Sequence, residues 1–352
     1  MRERLLEDLL WFLERPSVTG EEKLLCDDLE ARISRVSGWK IERVSNSLAV
    51  RRESPDASRE KLVLAGHLDT VPGGDLPVRV EGERVYGRGA SDMKAGDAVM
   101  LALLEDFPWE VSWAEPAFVF YEREEGPYAE NGLEEVFAQS PWILDAGLAL
   151  LLEPTAGALE VGCVGTAQIE VTFRGRSAHS ARPWEGENAI TAAGGFLAEL
   201  HERQVEEVVV EGLTFYEVLV PTMARGGRAK NVVPDAFWIN VNYRFAPGRD
   251  LGDVRRVFEE LLEARAHYQV ADYAPSGPVE LGNPLLQRLI ETGLEVRPKQ
   301  AWTDVARFAQ RGVAAANFGP GLPAQAHQEA EFAELSLLES CYECLRALFR
   351  HN

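Results

Sequence analysis

The first 160 residues alternate between two hydrophobic patterns. Apolar residues recur at helical spacing over residues 2–14 and 93–104, whereas three shorter runs are apolar at nearly every position. Those runs are residues 61–66, 117–121 and 148–152. A further helix is predicted over residues 21–35, with Thr19 in a capping motif at its start. Strands that alternate with helices predict an α/β fold with a doubly wound, mostly parallel sheet.

From about residue 165 the pattern changes to longer strands in which apolar and polar residues alternate. The predicted order of elements is β-α-β-β-α-β, which is that of a ferredoxin-like α+β unit. These elements are strand 166–173, helix 188–204, strands 214–223 and 233–245, helix 251–266 and strand 268–273. Helix–strand alternation resumes after Pro275. We therefore predict one domain of residues 1–164 and 276–352, into which a second domain of residues 165–275 is inserted.

Composition and charge exclude several classes of protein. The net charge of −21 would repel a phosphate backbone, so nucleic acid is not an expected partner. The longest apolar runs fall well short of a membrane span, and the amino-terminal segment carries acids where a signal peptide is apolar. Four cysteines are too few for a disulfide scaffold, and a cytoplasmic location is expected. Cys341 and Cys344 share one face of a predicted helix, where we expect core packing.

Acidic residues and histidines stand where the predicted strands end, the edge at which open α/β sheets bind ligands. Five of these positions have the chemistry of metal ligands: His67, Asp92, one residue of the adjacent pair Glu124 and Glu125, Glu153 and His327. Two imidazoles and three carboxylates suit Zn²⁺ or Mn²⁺. Two such ions about 3.5–4 Å apart can activate a water and polarise a carbonyl, and the glutamate of the pair that does not bind metal could carry the proton. Taken singly, however, the pairs His67/Asp69 and Glu124/Glu125 are also typical of solvated turns.

The glycine-rich loop around Asp92 lacks the spacing and the ending of a phosphate-binding loop, so nucleotide binding is not expected. The motifs at these positions instead resemble the M20 family of di-zinc amidohydrolases and peptidases. They are Gly66-His-Leu-Asp-Thr-Val-Pro, Gly87-Arg-Gly-Ala-Ser-Asp-Met-Lys-Ala-Gly, Glu124-Glu125, Glu153-Pro-Thr and Ala326-His327. Other segments are similar to the actinobacterial type of succinyl-diaminopimelate desuccinylase within that family. They include Gly162-Cys-Val-Gly-Thr, Ala178-His-Ser-Ala-Arg, Val241-Asn-Tyr-Arg-Phe-Ala-Pro, Trp302-Thr-Asp-Val-Ala-Arg-Phe and Asn317-Phe-Gly-Pro-Gly.

The resemblance implies a cofactor of two Zn²⁺ ions, with Co²⁺ or Mn²⁺ as substitutes. His67 and Glu153 would hold one ion, Glu125 and His327 the other, and Asp92 would bridge the two. The resemblance also implies that residues 1–164 and 276–352 form the catalytic domain. The inserted residues 165–275 would then form a lid and dimerisation domain.

The resemblance implies catalytic and substrate-binding roles for five further residues. Asp69 would orient the imidazole of His67, and Glu124 would be the general base that later protonates the leaving amine. His179 would reach the active site of the partner subunit in a homodimer and stabilise the oxyanion there. Asn231 and Arg244 would contact the substrate, because an arginine fork suits a carboxylate.

The resemblance predicts hydrolysis of a small N-acyl amide, N-succinyl-L,L-diaminopimelate, in lysine biosynthesis. Alternative substrates are another N-acyl amino acid, such as acetylated ornithine or citrulline, or a peptide cleaved by a dipeptidase or carboxypeptidase of the family. Proteobacterial desuccinylases carry an arginine in the stretch that corresponds to Gly162-Cys-Val-Gly-Thr, and this chain lacks it. The sequence therefore defines the reaction better than the substrate. An inactive metal-binding scaffold is disfavoured, since it has no reason to retain Glu124.

Overall fold

The computed structural model describes residues 1–73, 76–203 and 205–350. The chain divides into two units. The first contains Met1–Gly162, Glu280–Arg297 and Asp304–Asn352, and the second contains Cys163–Val279 and Pro298–Thr303.

The described residues include sixteen strands and ten α-helices. The strands are β1 (Trp39–Val44), β2 (Ser47–Arg52), β3 (Glu60–His67), β4 (Arg79–Glu81), β5 (Arg84–Tyr86), β6 (Ala114–Tyr121), β7 (Leu148–Leu151), β8 (Leu159–Val161), β9 (Gly165–Arg174), β10 (Glu206–Val210), β11 (Leu213–Gly226), β12 (Ala236–Phe245), β13 (His267–Ala274), β14 (Val296–Pro298), β15 (Ala315–Asn317) and β16 (Phe332–Glu334). The helices are α1 (Arg2–Leu13), α2 (Lys23–Ile33), α3 (Ala95–Asp106), α4 (Leu133–Gln139), α5 (Ala189–Ala192), α6 (Gly194–Glu202), α7 (Leu251–Leu262), α8 (Pro284–Glu291), α9 (Val305–Gln310) and α10 (Leu335–Phe349).

The first unit is built on an eight-stranded sheet whose order is β1-β2-β6-β3-β7-β15-β8-β14. The four adjacent strands β6, β3, β7 and β15 are parallel, and antiparallel strands flank them on both sides. Every residue of β6 is buried, as are residues 62–67 of β3. Strands buried on both faces need helices on both faces, which is why they are continuously apolar. The long helix α3 is buried almost throughout and packs against α1 and α10.

A small three-stranded sheet, in the order β16-β5-β4, also belongs to the first unit. Strand β16 runs antiparallel to β5, and Phe332 pairs with Tyr86. Pairing of these two strands brings the chain just before β16 to the glycine-rich segment that follows β5. That segment forms an irregular turn, Ala90–Lys94, before α3 begins.

The second unit is a five-stranded antiparallel sheet in the order β10-β11-β12-β9-β13. Alternate residues of β9 and β12 are buried against α5, α6 and α7, in a core that includes Val171, Phe196, Tyr243 and Phe258. The residues between them form a polar face on the other side of the sheet. The sequence pattern of alternating apolar and polar residues therefore defines a sheet with helices on one face.

Most predicted elements are present, with shifted ends. The strands predicted at residues 61–66, 117–121 and 148–152 are confirmed as β3, β6 and β7. The helix predicted over residues 93–104 begins only at Ala95, because Met93 and Lys94 belong to the irregular turn. The hairpin β1–β2 and the edge strand β10 were not predicted.

The capping role predicted for Thr19 is wrong, because its hydroxyl bonds to Asp69 while Glu22 occupies the N-cap of α2. Residue 204, the last of the predicted helix 188–204, lies outside the described residues. Cys341 is buried on α10 as expected, and Cys344 is partly buried. Among the described residues, no helix combines the length and the apolar character that a membrane crossing requires.

Candidate metal centre and active site

The carboxyl ends of three parallel strands bring acidic residues and a histidine together. His67 is the last residue of β3, Glu124 and Glu125 follow the end of β6, and Glu153 follows β7. Since β6, β3 and β7 are adjacent, these side chains lie at the same edge of the sheet. This is the edge at which open α/β sheets bind ligands.

His67 is held in one orientation and is 1% exposed. Its Nδ1 atom lies 3.0 Å from the main-chain oxygen of Asp69 and 3.5 Å from Asp69 Oδ1. Its Nε2 atom faces Asp92 Oδ1 at 3.3 Å and Glu153 Oε1 at 3.9 Å. An imidazole that donates one N–H to such a partner presents the other nitrogen to a metal, an arrangement common to metal-binding histidines.

A second histidine approaches the same carboxylate from another part of the chain. His327 Nε2 lies 2.9 Å from Glu125 Oε1 and 3.6 Å from Asp92 Oδ2. The backbone of His327 is in the left-handed region, with φ of 63°. Residues other than glycine adopt this backbone region rarely, and those that do are concentrated at functional sites. The two oxygens of Asp92 therefore face two different histidines.

The donor atoms fit a pair of divalent cations. Two groups of three could each hold one ion, since their ligand atoms lie within 4.8 Å of one another. One group is His67, Asp92 and Glu153, and the other is Asp92, Glu125 and His327. Imidazole nitrogens with carboxylate oxygens are ligands that zinc accepts. All five predicted ligands are thus brought together, although a third group of His67, Glu124 and Glu125 has similar spacing.

The carboxylates of the site create a negative environment that favours binding of a cation. Burial by itself lowers the pKa of His67, but contacts with Asp69 and Asp92 outweigh burial and raise this pKa well above its ordinary value. The contact with Glu125 raises the pKa of His327. Loss of water contact, reinforced by Glu153 and other carboxylates, raises the pKa of Glu124 well above its ordinary value. Bound metal ions would displace the protons that balance these carboxylates in their absence.

Asp69 contacts more than the imidazole of His67. Its Oδ1 accepts a hydrogen bond from the amide of Glu124 at 2.9 Å, and its Oδ2 accepts one from the amide of Glu125 at 3.0 Å. The hydroxyl of Thr19 donates to Oδ2 at 3.0 Å. Burial raises the pKa of Asp69, but its contact with His67 and the hydrogen bonds from the amides of Glu124 and Glu125 outweigh burial and lower this pKa. One buried carboxylate therefore fixes both the imidazole and the turn that carries two candidate site residues, a link that the sequence pattern does not reveal.

Gly319 packs directly against the segment that carries Glu153. A Cβ at Gly319 would collide with the main-chain oxygens of Leu152 and Glu153. We expect Gly319→Ala to reduce the free energy of unfolding by about 1–3 kcal/mol, as overpacking does. Gly282→Ala is the control, because a Cβ there meets no atom within 4 Å, and its effect should stay within about 0.5 kcal/mol. Urea unfolding of both variants checks this, and equal losses would contradict it.

The remaining predicted residues belong to the second unit. His179 and Asn231 are exposed and lie close together. The amide of Ser180 donates to the Asn231 carbonyl at 3.0 Å, and His179 forms a β-bridge with Val232. The Nδ1 atom of His179 accepts a hydrogen bond from the amide of Ala181 at 3.1 Å. This bond leaves Nε2 to serve another partner.

Arg244 lies on the polar face of the same sheet, in β12. Its Nε donates to Asn242 Oδ1 at 3.0 Å. Partial burial lowers its pKa. A groove on this face is lined by Arg244, Asn242, Asn240 and Gln168 among others. The groove also contains Arg225 and two carboxylates, Glu170 and Asp272. Arg244 and the amides beside it are the groups of this face that could bind a carboxylate ligand.

Comparisons with known protein families and with individual proteins agree with one another. The model of peptidase family M20/M25/M40 matches residues 63–351. A protein of Corynebacterium glutamicum named succinyl-diaminopimelate desuccinylase is 39% identical over 326 residues, which cover 90% of this chain and 88% of the relative. A protein of the same name from Cupriavidus necator is 31% identical over 290 residues, covering 75% of this chain and 72% of the relative.

Solved structures share the fold. A tripeptidase from Staphylococcus aureus superposes with a TM-score of 0.84 at 20% sequence identity, covering 99% of this chain and 98% of the other. An M20 family metallo-carboxypeptidase from Sulfolobus solfataricus superposes with a TM-score of 0.74 at 16% identity, covering 98% of each chain. At such low identity these likenesses concern the fold alone.

Proposed function

This chain belongs to the peptidase family M20/M25/M40 and is a metal-dependent amide hydrolase, and we propose that it cleaves N-succinyl-L,L-diaminopimelate to succinate and L,L-diaminopimelate. The proposal rests on the name of the C. glutamicum relative, which is 39% identical over most of the chain. The family resemblance of the site residues supports it as well. The predicted cytoplasmic setting is part of this proposal.

The observation that carries the proposed mechanism is the placement of Asp92 between two histidines. Its Oδ1 lies 3.3 Å from His67 Nε2, and its Oδ2 lies 3.6 Å from His327 Nε2. A carboxylate with one oxygen toward each histidine is suited to bridge two cations. We assign His67 and Glu153 to one zinc ion and Glu125 and His327 to the other, with Co²⁺ or Mn²⁺ as possible substitutes.

The chain's own residues divide the remaining chemistry. Two bound zinc ions would supply Lewis acidity toward the amide carbonyl and lower the pKa of the attacking water. Glu124 takes the proton from that water and delivers it to the nitrogen of the departing amine. Burial raises the pKa of Glu124 above its ordinary value, which favours uptake of a proton by this carboxylate. Asp69 keeps Glu124 in position through the bond to its main-chain amide, 2.9 Å long.

The second unit is proposed as a ferredoxin-like lid that also forms a homodimer. The spatial order β11-β12-β9-β13 supports the topology. Within the part of the chain that the structure describes, strand β10 pairs with Leu213–Glu217 of β11. Among the described residues, the rest of that edge of β11 has no neighbouring strand. Val220 and Met223 on this part are 49% and 60% exposed. An open strand edge with exposed apolar residues suits pairing with a second copy.

Arg244 is proposed to bind a carboxylate of the substrate. Arg244→Gln should lower kcat/KM for the succinyl substrate by about 10- to 100-fold through loss of a charge-assisted contact, while N-acetyl amino acids lose less. Arg256→Gln is the control, because Arg256 is exposed on α7 and pairs with Asp253 at 2.8 Å. Steady-state kinetics with both substrate classes check this. An equal loss for both classes would assign Arg244 a role unrelated to the succinyl group.

Metal removal tests the proposed reaction directly. Dialysis against a chelator should abolish succinate release, and titration with Zn²⁺ should restore it, with full activity at about two ions per chain. Amine release, followed by chromatography, should rise in parallel with succinate. Undiminished turnover by metal-free protein would contradict the mechanism, and saturation at one ion would contradict the bridging role of Asp92.

A further inference from the structure

Glu331 is a buried carboxylate outside the set of candidate ligands. It is 1% exposed, and it stands next to β16. Its Oε1 accepts hydrogen bonds from the amides of Ser91 at 2.9 Å and Asp92 at 3.0 Å. Its Oε2 accepts from the amide of Gly89 at 2.9 Å and from Arg88 Nη1 at 3.2 Å. Both oxygens are therefore fully engaged by the loop that carries Asp92.

The loop needs such a partner because its backbone is irregular. Gly89 has φ of +79°, and Asp92 has φ of −121° and ψ of 93°. An irregular backbone of this kind points successive N–H groups into one concavity, which binds an anion. Here the anion is the side chain of Glu331 from the same chain. Without it, three amides in a largely buried segment would lose their hydrogen-bond partner, which is costly inside a protein.

We propose that Glu331 is a positioning residue that sets the orientation of Asp92 toward both metal ions. The inference rests on the proposed function in so far as Asp92 bridges those ions. Glu331 belongs to none of the candidate ligand groups found among the described residues; it acts through the main chain of Asp92. Its own position is fixed by pairing of β16 with β5 and by the amide of Gly87, which donates to the Glu331 main-chain oxygen at 3.2 Å.

Glu331→Gln is the most informative substitution, because it preserves the shape of the side chain and removes one of its two hydrogen-bond acceptors. Each carboxylate oxygen of Glu331 accepts hydrogen bonds from two donors. Either orientation of a glutamine amide would therefore place an NH₂ group against two other donors. Glu331→Asp retains both oxygens on a shorter side chain and should recover part of the effect. This aspartate variant also keeps the proposal testable if the glutamine variant fails to fold.

Glu115→Gln is a matched control. Glu115 is also buried, at 7% exposure, and its Oε2 accepts a hydrogen bond from a main-chain amide, that of Asp56, at 3.2 Å. It lies at the start of β6, whereas the candidate ligands follow the other end of the strand. A general effect of removing a buried carboxylate should appear in this variant as well.

The first measurement is hydrogen exchange in metal-free full-length protein. Amides of Gly89, Ser91 and Asp92 should exchange at least about tenfold faster in Glu331→Gln than in wild type. The second measurement is zinc affinity by competition with a chelating dye, which should weaken by about 10- to 100-fold. Glu331→Asp should fall between Glu331→Gln and wild type, and Glu115→Gln should match wild type in both measurements.

Unchanged exchange and unchanged zinc affinity in Glu331→Gln would overturn the proposal, as would equal losses in Glu115→Gln. A drop in thermal stability with wild-type zinc affinity would also overturn it, because that pattern indicates a purely structural role. Neither measurement uses substrate. Failure of the wild-type protein to hydrolyse N-succinyl-diaminopimelate would therefore refute the proposed substrate and leave this test intact.

Discussion

Glu124→Gln protein is expected to retain two zinc ions and to lose about 10²–10⁴-fold in kcat. A glutamine side chain keeps the shape of Glu124 but cannot accept the proton of the attacking water. The surrounding ligands contact one another without involving Glu124, since His327 pairs with Glu125 and His67 faces Asp92 and Glu153. Metal content by atomic emission and turnover by succinate release should therefore separate in this variant.

Glu125→Gln is the matched comparison, because the two residues are adjacent and both amides bond to Asp69. We expect this variant to bind its second zinc ion more weakly, since Glu125 lies 2.9 Å from His327. The comparison matters because Glu124 also lies within possible ligand distance of His67. Metal loss in Glu124→Gln together with metal retention in Glu125→Gln would reverse the two assignments.

His179→Ala is expected to lower kcat by about 10²–10³-fold, as removal of an oxyanion donor does. The exposed imidazole of His179 has its Nδ1 engaged by the amide of Ala181 at 3.1 Å, so Nε2 is the atom proposed to meet the oxyanion. Zinc content and the melting temperature should stay at wild-type values, because His179 belongs neither to the candidate ligand groups nor to a buried core. Wild-type turnover in this variant would remove His179 from the mechanism.

Mixed dimers test whether His179 acts in the partner subunit. His179→Ala and Glu124→Gln proteins, unfolded and refolded together in equal amounts, should regain about a quarter of wild-type activity through random pairing. One site of each mixed dimer then combines an intact Glu124 with an intact His179 from the other subunit. Each variant refolded alone is the control. No recovery in the mixture would mean that both residues act within one subunit.

The sequence was most informative where chemistry follows directly from strand periodicity. Each buried run of β3, β6 and β7 is followed by an acidic residue or histidine, and parallel strands bring such ends to one edge. Asp92 and His327 come from loops rather than directly from a buried run, so strand periodicity supported their place at this edge less directly and the family resemblance supported it more. The hairpin β1–β2 escaped prediction because only β2 is mostly buried, so β1 carries a weak hydrophobic signal.

The contacts that support the ligands could not be predicted from the sequence. Thr19 is 50 residues from Asp69 along the chain, and its local sequence is typical of a helix cap. Glu331 is more than 230 residues from the loop it holds. Tertiary packing brings each of these side chains to its partner. Contacts between residues so far apart along the chain produce no recognisable pattern in the local sequence.

The most direct test of the central claim is kcat/KM of zinc-loaded protein for N-succinyl-L,L-diaminopimelate, measured beside N-acetyl-ornithine, N-acetyl-citrulline and a set of dipeptides. We predict a preference of at least about 10³-fold for the succinyl compound, since a site built for a charged group rejects analogues that leave its polar groups unpaired. Comparable or higher kcat/KM for an acetylated amino acid or a dipeptide would contradict the proposed substrate.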